Sequence, residues 1–203
     1  MRGMMIFAWS LLALATAAFV FALYTRQSAM KREEMLPVVG TVDMPFSLRN
    51  QAGETITQDA FKGKVWVAYF FFTTCPSICP AMNRNAMHVQ REFASNPEVL
   101  MAGFTVDPEN DTVDALKQWA KRHEAQAGKW HFLTGDRKKL YDLSRQTFKL
   151  AAEPGDKTHP IVHSDKFVLI DRQGRIRGYY SGVNPDDVQT LLQDIYRVLE
   201  EQP

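Results

Sequence analysis

The sequence contains very little cysteine and carries almost no net charge. Two cysteines among 203 residues cannot form a four-cysteine zinc site, and one disulfide does not make a disulfide-stabilised scaffold. The 24 basic and 23 acidic residues give a formal net charge of +1. A nucleic-acid partner is therefore not expected, because phosphate-binding domains are usually strongly basic. Any special sulfur chemistry must come from one pair of cysteines.

The composition is that of an ordinary globular protein. Hydrophobic residues make up 45% of the chain and charged residues 23%, which excludes a disordered or collagen-like protein. The sequence also lacks internal repeats and low-complexity tracts. At roughly 150 residues per domain, a chain of 203 residues corresponds to one domain with a short appendage.

The appendage is at the N-terminus, where residues 3–25 carry no charge and are mostly apolar. A helix of ~20 apolar residues spans the ~30 Å hydrocarbon core of a bilayer. We predict a single transmembrane anchor over residues 1–25, a polar tether over 26–39 and one domain over 40–203. The alternative is a signal peptide cleaved after Ala15 or Ala17. In both cases the domain is expected on the exported side of a membrane, in the periplasm or an equivalent compartment.

Strand and helix patterns alternate through the predicted domain. This order predicts an α/β fold with a central sheet and flanking helices, and a late hairpin adds an antiparallel part. The fold class is thioredoxin-like, with a mixed sheet and an N-terminal hairpin extension. The predicted strands are 46–48, 55–56, 65–73, 99–106, 130–133, 167–171 and 176–180, and the predicted helices are 78–94, 111–127, 136–148 and a last helix from 184.

Both cysteines follow the most apolar predicted strand, in Cys75-Pro-Ser-Ile-Cys79-Pro80. Sites in such folds lie at the carboxyl ends of parallel strands. A spacing of four residues puts both sulfurs on one side, and a helix N-terminus favours the thiolate. The pair can close a disulfide or chelate a soft metal such as Cu(I) or Zn. Because Pro80 lacks an amide hydrogen, we expect a distorted first helical turn with Cys79 in an exposed loop.

A third ligand for such a metal is expected from the loop that precedes the strand at 167–171. In a thioredoxin-like sheet this loop faces the cysteine turn, and it contains His159 and His163. The three other histidines fall within predicted helices or a strand and are interpreted as structural. Met82 and Met87 have helical spacing and are interpreted as core residues rather than thioether ligands.

Three segments of the sequence, YFFFTTCPSICPAMN, FTVDPENDT and VHSDKFVLIDRQGRIRGYYSG, resemble the Sco/SenC family of copper proteins. The resemblance covers about residues 40–200. It implies copper, as Cu(I) or Cu(II), bound by Cys75, Cys79 and His163, with His159 as a backup ligand. The implied partner is the CuA domain of subunit II of cytochrome c oxidase, or another copper or thiol protein. Many relatives have Asp-Val where this chain has Ser77-Ile78.

Two functions follow from these residues. The first is a copper metallochaperone that delivers copper, and also reducing equivalents, to the CuA site. The second is a membrane-anchored thiol–disulfide oxidoreductase that uses Cys75 and Cys79 as its catalytic redox pair, although thioredoxins have two residues between their cysteines and this chain has three. A thiol peroxidase is disfavoured, because Phe72 stands where those enzymes carry threonine.

Two further features leave alternatives open. Asp107 is either a turn residue or a group that orients the site or docks a partner. Arg172, Arg175 and Arg177 flank a predicted hairpin turn. We interpret these arginines as a solvated surface, with docking to an acidic partner as the alternative.

Overall fold

The structure is a computed structural model, and it describes Thr16 and residues 19–21, 35–155 and 161–201. Most of the predicted anchor and tether lie outside the described residues, and so does the backup ligand His159. Within the described ranges no helix is both long and apolar enough to cross a membrane. The chain divides into two compact units, Met1–Met35 and Leu36–Pro203. The anchor over residues 1–25 stays a prediction.

The second unit is an α/β domain, as predicted. Its strands are β1 (Gly40–Thr41), β2 (Ser47–Arg49), β3 (Thr55–Thr57), β4 (Val65–Phe71), β5 (Val99–Thr105), β6 (Trp130–Leu133), β7 (Ala152–Glu153), β8 (Val162–His163), β9 (Lys166–Ile170) and β10 (Arg175–Ser181). Its α-helices are α1 (Cys79–Glu92), α2 (Val113–Arg122), α3 (Arg137–Asp142) and α4 (Pro185–Glu200).

The main sheet is mixed and has the strand order β1-β10-β9-β4-β5-β6. Strands β4, β5 and β6 run parallel, whereas β9 is antiparallel to β4 and to β10. The N-terminal hairpin is a separate antiparallel pair, β2 with β3. The predicted fold class, with its parallel core, its late antiparallel hairpin and its N-terminal hairpin, is therefore confirmed.

The continuous apolar run of β4 is explained by burial on both faces of the sheet. Every residue of β4 and of its neighbour β5 is buried. Phe70 of β4 stacks on Phe104 of β5 with ring centroids 5.3 Å apart. The strand ends at Phe71 rather than at Thr73, because the Thr73 amide donates to the carboxylate of Asp111 at 3.2 Å instead of to another strand.

One predicted helix is shorter than its apolar pattern suggested, and another changes geometry within its predicted length. The helix predicted over 111–127 is α2, which has Thr112 as its N-cap, and the backbone turns left-handed at Glu124 (φ 50°). The helix predicted over 136–148 is the short α3 followed by one π-helical turn, Leu143–Thr147. The left-handed backbone at Glu124 ends the first helix early, whereas the second keeps nearly its predicted length but changes from α to π geometry.

The interpretation of the three arginines as a solvated surface is wrong for Arg177. Its side chain is fully buried and forms ion pairs with Asp171 at 3.1 Å and with Glu201 at 2.5 Å. It also donates to the backbone carbonyls of Leu36 and Pro37. A buried guanidinium must be paired, and these contacts connect Arg177 to residues near both ends of the domain.

Candidate metal centre

The cysteine turn joins the end of β4 to the start of α1. The amide of Cys75 donates to the carbonyl of Phe72 at 3.3 Å, which begins the turn. Cys79 is the first residue of α1, and Pro80 is accommodated in the first helical turn. The first amides of a helix have no intrahelical acceptor, so proline costs little there. The expectation that Pro80 keeps Cys79 in an exposed loop is therefore wrong, since Cys79 is fully buried.

His163 lies on a short strand rather than in an open loop. It belongs to β8, and it pairs with Ala152 of β7. Each strand of this hairpin has only two residues, which is too short to give an alternating pattern in the sequence. The His163 ring stands edge-on to Phe72, with centroids 5.5 Å apart and an interplanar angle of 85°. The structure thus places the histidine against the cysteine turn, as expected.

A hydrogen bond to the backbone orients the His163 ring. Nδ1 of His163 lies 3.0 Å from the carbonyl oxygen of Ser164, so Nδ1–H is the donor. Nε2 then faces the two sulfurs, 3.3 Å from Cys79 Sγ and 3.9 Å from Cys75 Sγ. Metal-binding histidines are typically fixed by such a bond at the other ring nitrogen.

The separations between these atoms suit a single soft metal ion. Both cysteines are free thiols, and the three donor atoms lie within 4.8 Å of one another. Bonds of ~2.3 Å to sulfur and ~2.0 Å to nitrogen allow sulfur and nitrogen to be up to ~4.3 Å apart. Both nitrogen–sulfur distances fall below this limit. Within the described ranges, no other group of three histidine, cysteine or acidic side chains converges in this way.

The two thiols differ in acidity. Burial raises the pKa of Cys75, but hydrogen bonds from His163, from the backbone at Cys79 and Ser77 and from the Ser77 hydroxyl outweigh it and lower the pKa to about 6. Burial raises the pKa of Cys79 far above its usual range, and the neighbouring Cys75 thiolate raises it further. Cys75 is therefore the sulfur that ionises first, and Cys79 keeps its proton until a metal or another electrophile displaces it.

Asp111 binds the segment that leads into the cysteine turn, a role that the sequence did not indicate. Its buried carboxylate accepts the Thr73 hydroxyl at 2.5 Å and the Thr105 hydroxyl, in addition to the Thr73 amide. Burial raises the pKa of Asp111, and the threonine hydrogen bonds oppose this rise. The pair Asp111-Thr112 has the pattern of a helix cap, but only Thr112 caps α2, and Asp111 ties the end of β5 to the segment before Cys75.

The other candidates take structural positions. Asp107 is a turn residue, because its carboxylate accepts the Asn110 amide at 2.8 Å and its carbonyl accepts the backbone amide of Asp111 at 2.8 Å. Met82 is buried and Met87 half-buried on α1, as predicted for core residues.

These features define a thioredoxin-like α/β protein with a candidate soft-metal site. They are the mixed sheet, the dithiol turn at the carboxyl end of a parallel strand and the histidine that faces this turn. The sequence profile of the SCO1/SenC family matches residues 37–200. The chain therefore belongs to the SCO1/SenC family, and the resemblance drawn from the three sequence segments is confirmed.

Relatives and solved structures are similar over most of the chain. The SCO1 protein homolog of Bacillus subtilis is 31% identical over 153 residues, which cover 74% of this chain and 79% of the relative. BsSco, described as a cytochrome c oxidase assembly protein of the Sco family with a disulfide switch, is 28% identical at a TM-score of 0.72, covering 83% of this chain and 99% of BsSco. ScoI of Bradyrhizobium japonicum, solved with copper bound, shares the fold at 24% identity and a TM-score of 0.65, covering 76% of this chain and 98% of ScoI.

Proposed function

We propose that this protein is a copper metallochaperone in which Cys75, Cys79 and His163 hold copper for delivery to the CuA site of cytochrome c oxidase. The observation that carries the proposal is the position of His163 Nε2, which lies 3.3 Å from Cys79 Sγ and 3.9 Å from Cys75 Sγ. The copper-bound relative and the family's description as oxidase assembly proteins support it.

The chemistry of the donors suits copper that must be released. Two thiolates favour Cu(I), and an imidazole also accommodates Cu(II). Three protein donors leave a position for an incoming ligand, and ligand exchange between two proteins requires such a position. Pro76 and Ser77, which follow Cys75, are exposed, so a partner can approach the sulfurs from this side.

Binding requires the protein to release protons. Cys75 is largely a thiolate at neutral pH, whereas Cys79 is a thiol. A bound ion takes the place of the Cys79 proton. Because Nδ1 of His163 donates to the Ser164 carbonyl, Nε2 is the ring nitrogen that faces the metal position.

The proposed partner is the CuA domain of oxidase subunit II, or another copper or thiol protein. The sequence supports attachment to a membrane through an anchor over residues 1–25, with the domain over 40–203 on the exported side. A membrane-held domain on that side would share its compartment with an oxidase domain that faces the same way.

Copper titration of the reduced full-length chain in detergent tests this proposal. We expect one copper per chain by mass and absorption, loss of stoichiometric binding in Cys75→Ala and Cys79→Ala, and weaker binding in His163→Ala. Met87→Ala is a matched control, because it removes a sulfur on the same helix and should leave the stoichiometry unchanged. Wild-type affinity and spectra in His163→Ala would remove the histidine from the site.

The acidity difference between the cysteines favours a second candidate, a thiol–disulfide oxidoreductase. The Cys75 thiolate would attack one sulfur of a partner disulfide, which breaks that bond, releases the partner's other sulfur as a thiolate and forms a mixed disulfide. Cys79, once deprotonated, would then attack the Cys75 sulfur, release the second partner thiolate and leave a Cys75–Cys79 disulfide, so that the partner gains the two electrons that the cysteine pair loses. Metal-free turnover with a dithiol reductant tests it. If His163→Ala lowers turnover little but removes most copper affinity, copper binding is the function for which the histidine is placed.

A further inference from the structure

The proposed copper donors come from two segments that are far apart in the chain. The distance between the two segments must therefore be fixed for the donors to meet. Cys79 is the first residue of α1, and the backbone hydrogen bonds within this helix hold its residues in a fixed geometry. His163 sits in the hairpin of β7 and β8, which has only two residues in each strand. A two-stranded hairpin of this size is marginal on its own. Further contacts are therefore needed to hold His163 at its distance from the sulfurs.

Asp165, two residues after His163, supplies the first of these contacts. Its backbone carbonyl accepts the amide of Gly182 at 2.7 Å. Its carboxylate accepts the hydroxyl of Ser181 at 2.6 Å. The segment that follows His163 is thus bound to the end of β10 through both its main chain and its side chain.

The second contact leads from this point to the cysteine helix. The side-chain amide of Asn85, on α1, donates to the carbonyl of Gly182 at 2.7 Å. The two polar backbone groups of Gly182 are therefore both used, one toward the His163 segment and the other toward the helix that begins at Cys79. Asn85, Gly182 and Asp165 form one continuous hydrogen-bonded connection between the elements that carry the donors.

Only glycine allows this approach. A Cβ atom at position 182 would lie 2.9 Å from the carbonyl oxygen of Asp165 and 3.1 Å from the ring of Phe167. The first contact is with a backbone atom, which cannot rotate away. A side chain at this position would push the His163 segment away from β10.

We propose that Asn85 is a positioning residue for His163, acting through Gly182 and Asp165 to hold the imidazole at its distance from the two sulfurs. The expected effect of Asn85 on copper affinity rests on the proposed function. The positioning of His163 by Asn85 is a property of the metal-free protein. Asn85 touches neither sulfur nor imidazole in any contact described, so it acts only through the connection.

A double-mutant cycle on the full-length chain distinguishes positioning from a general structural role. We expect Asn85→Ala to weaken Cu(I) binding about fivefold to tenfold, the scale of one lost hydrogen bond. In a His163→Ala background the same substitution should change affinity less than about twofold, because there is no imidazole left to position. Equal effects in the two backgrounds would overturn the proposal.

Two further variants separate the hydrogen bond from the side-chain volume. Asn85→Asp keeps the size but has no donor for the Gly182 carbonyl at neutral pH, so it should weaken binding at least as much as Asn85→Ala; wild-type affinity would overturn the proposal. Gln90→Ala is the matched control. Gln90 also carries a side-chain amide on α1. It donates to the carbonyl of Glu124 at 3.1 Å and accepts from the backbone amide of Gln126 at 2.7 Å, away from the His163 segment. It should lower stability without changing Cu(I) affinity.

A measurement without metal keeps this inference separate from the proposed function. In the metal-free wild type, a nuclear Overhauser contact between the Phe72 and His163 rings is expected from their edge-on packing at 5.5 Å between centroids. Asn85→Ala should weaken this contact, and Gln90→Ala should keep it. If the wild type binds no copper but Asn85→Ala still loses the contact, the function fails and the positioning stands. An unchanged contact in Asn85→Ala overturns the positioning.

Discussion

Nε2 of His163 lies 3.3 Å from Sγ of Cys79, although 84 residues separate them in the chain. The sheet order explains this proximity, because β9, which follows His163 directly, is the neighbour of β4, which leads into the cysteine turn. A donor from a late segment is thereby brought to a turn from an early one. The copper proposal depends on this juxtaposition more than on either segment alone.

Alkylation of the reduced, metal-free protein should reveal one reactive thiol. The pKa of Cys75 is about 6, against about 8.5 for an unperturbed cysteine, so its thiolate persists down to mildly acidic pH. Modification by iodoacetamide should be half-maximal near pH 6 and confined to Cys75, as judged by peptide mass. Because folding lowers the pKa of the Cys75 thiol, its ionisation also stabilises the folded state. This contribution to the free energy of unfolding is complete above the unfolded pKa of about 8.5 and is lost as the pH falls through 6. Modification of Cys79 before Cys75 would show that Cys75 is not the more acidic thiol.

His163→Ala should raise the pKa of Cys75, since it removes a hydrogen bond that lowers it. The midpoint of the alkylation profile should move to higher pH, whereas Ser77→Ala should move it less, because the Ser77 hydroxyl lowers the pKa less than His163 does and the backbone amide at position 77 remains. Rates measured from pH 5 to pH 9 on both variants test this. Identical midpoints in wild type and His163→Ala would mean that the imidazole does not act on the sulfur.

Asp111→Ala should destabilise the domain by about 1–3 kcal/mol, the usual range when a buried donor loses its acceptor. The substitution leaves the half-buried amide of Thr73 and the buried hydroxyl of Thr105 without the carboxylate that they share. Asp114→Ala is the matched control, an exposed acid in the first turn of α2. Urea unfolding of the two variants gives the comparison, and equal midpoints would show that Asp111 does not hold the turn.

Arg177→Ala should cost about 3–5 kcal/mol, because it leaves the buried carboxylate of Asp171 short of a partner. Arg175→Ala removes a partner of the same carboxylate, but Arg175 is 37% exposed, and its loss should cost about 1 kcal/mol or less. Unfolding in urea measures both. Similar costs would contradict the view that the buried arginine joins the two ends of the domain.

The N-terminal prediction is tested by fractionation. The full chain should remain with the membrane after washing at high pH, and deletion of residues 1–25 should release it, because the uncharged segment alone is long enough to span a bilayer. A full chain that is washed off the membrane, or one that begins after Ala15 or Ala17 by mass, would favour a cleaved signal peptide.

Long, strongly patterned segments made much of the fold predictable. The apolar run at 65–73 predicted a strand buried on both faces, which β4 confirms over Val65–Phe71, and Asn184 with Pro185 marked the start of α4. Helix ends were less predictable, since the left-handed residue Glu124 carries no signal such as glycine would give.

The three donor residues of the candidate site were predicted from the sequence, but the residues that hold them in place were not. Cys75, Cys79 and His163 have chemistry that marks them in a sequence. Asp111 and Asn85 are common residue types whose roles depend on contacts with residues 38 and 97 positions away, respectively. Such contacts are set by the sheet order and leave no local pattern.

X-ray absorption of the Cu(I)-loaded full-length chain identifies the atoms bonded to copper. We expect two sulfur donors and one nitrogen donor in the wild type, and loss of the nitrogen with retention of both sulfurs in His163→Ala. An unchanged nitrogen donor in that variant, or a wild-type copper ion without two sulfur donors, would contradict the site formed by Cys75, Cys79 and His163.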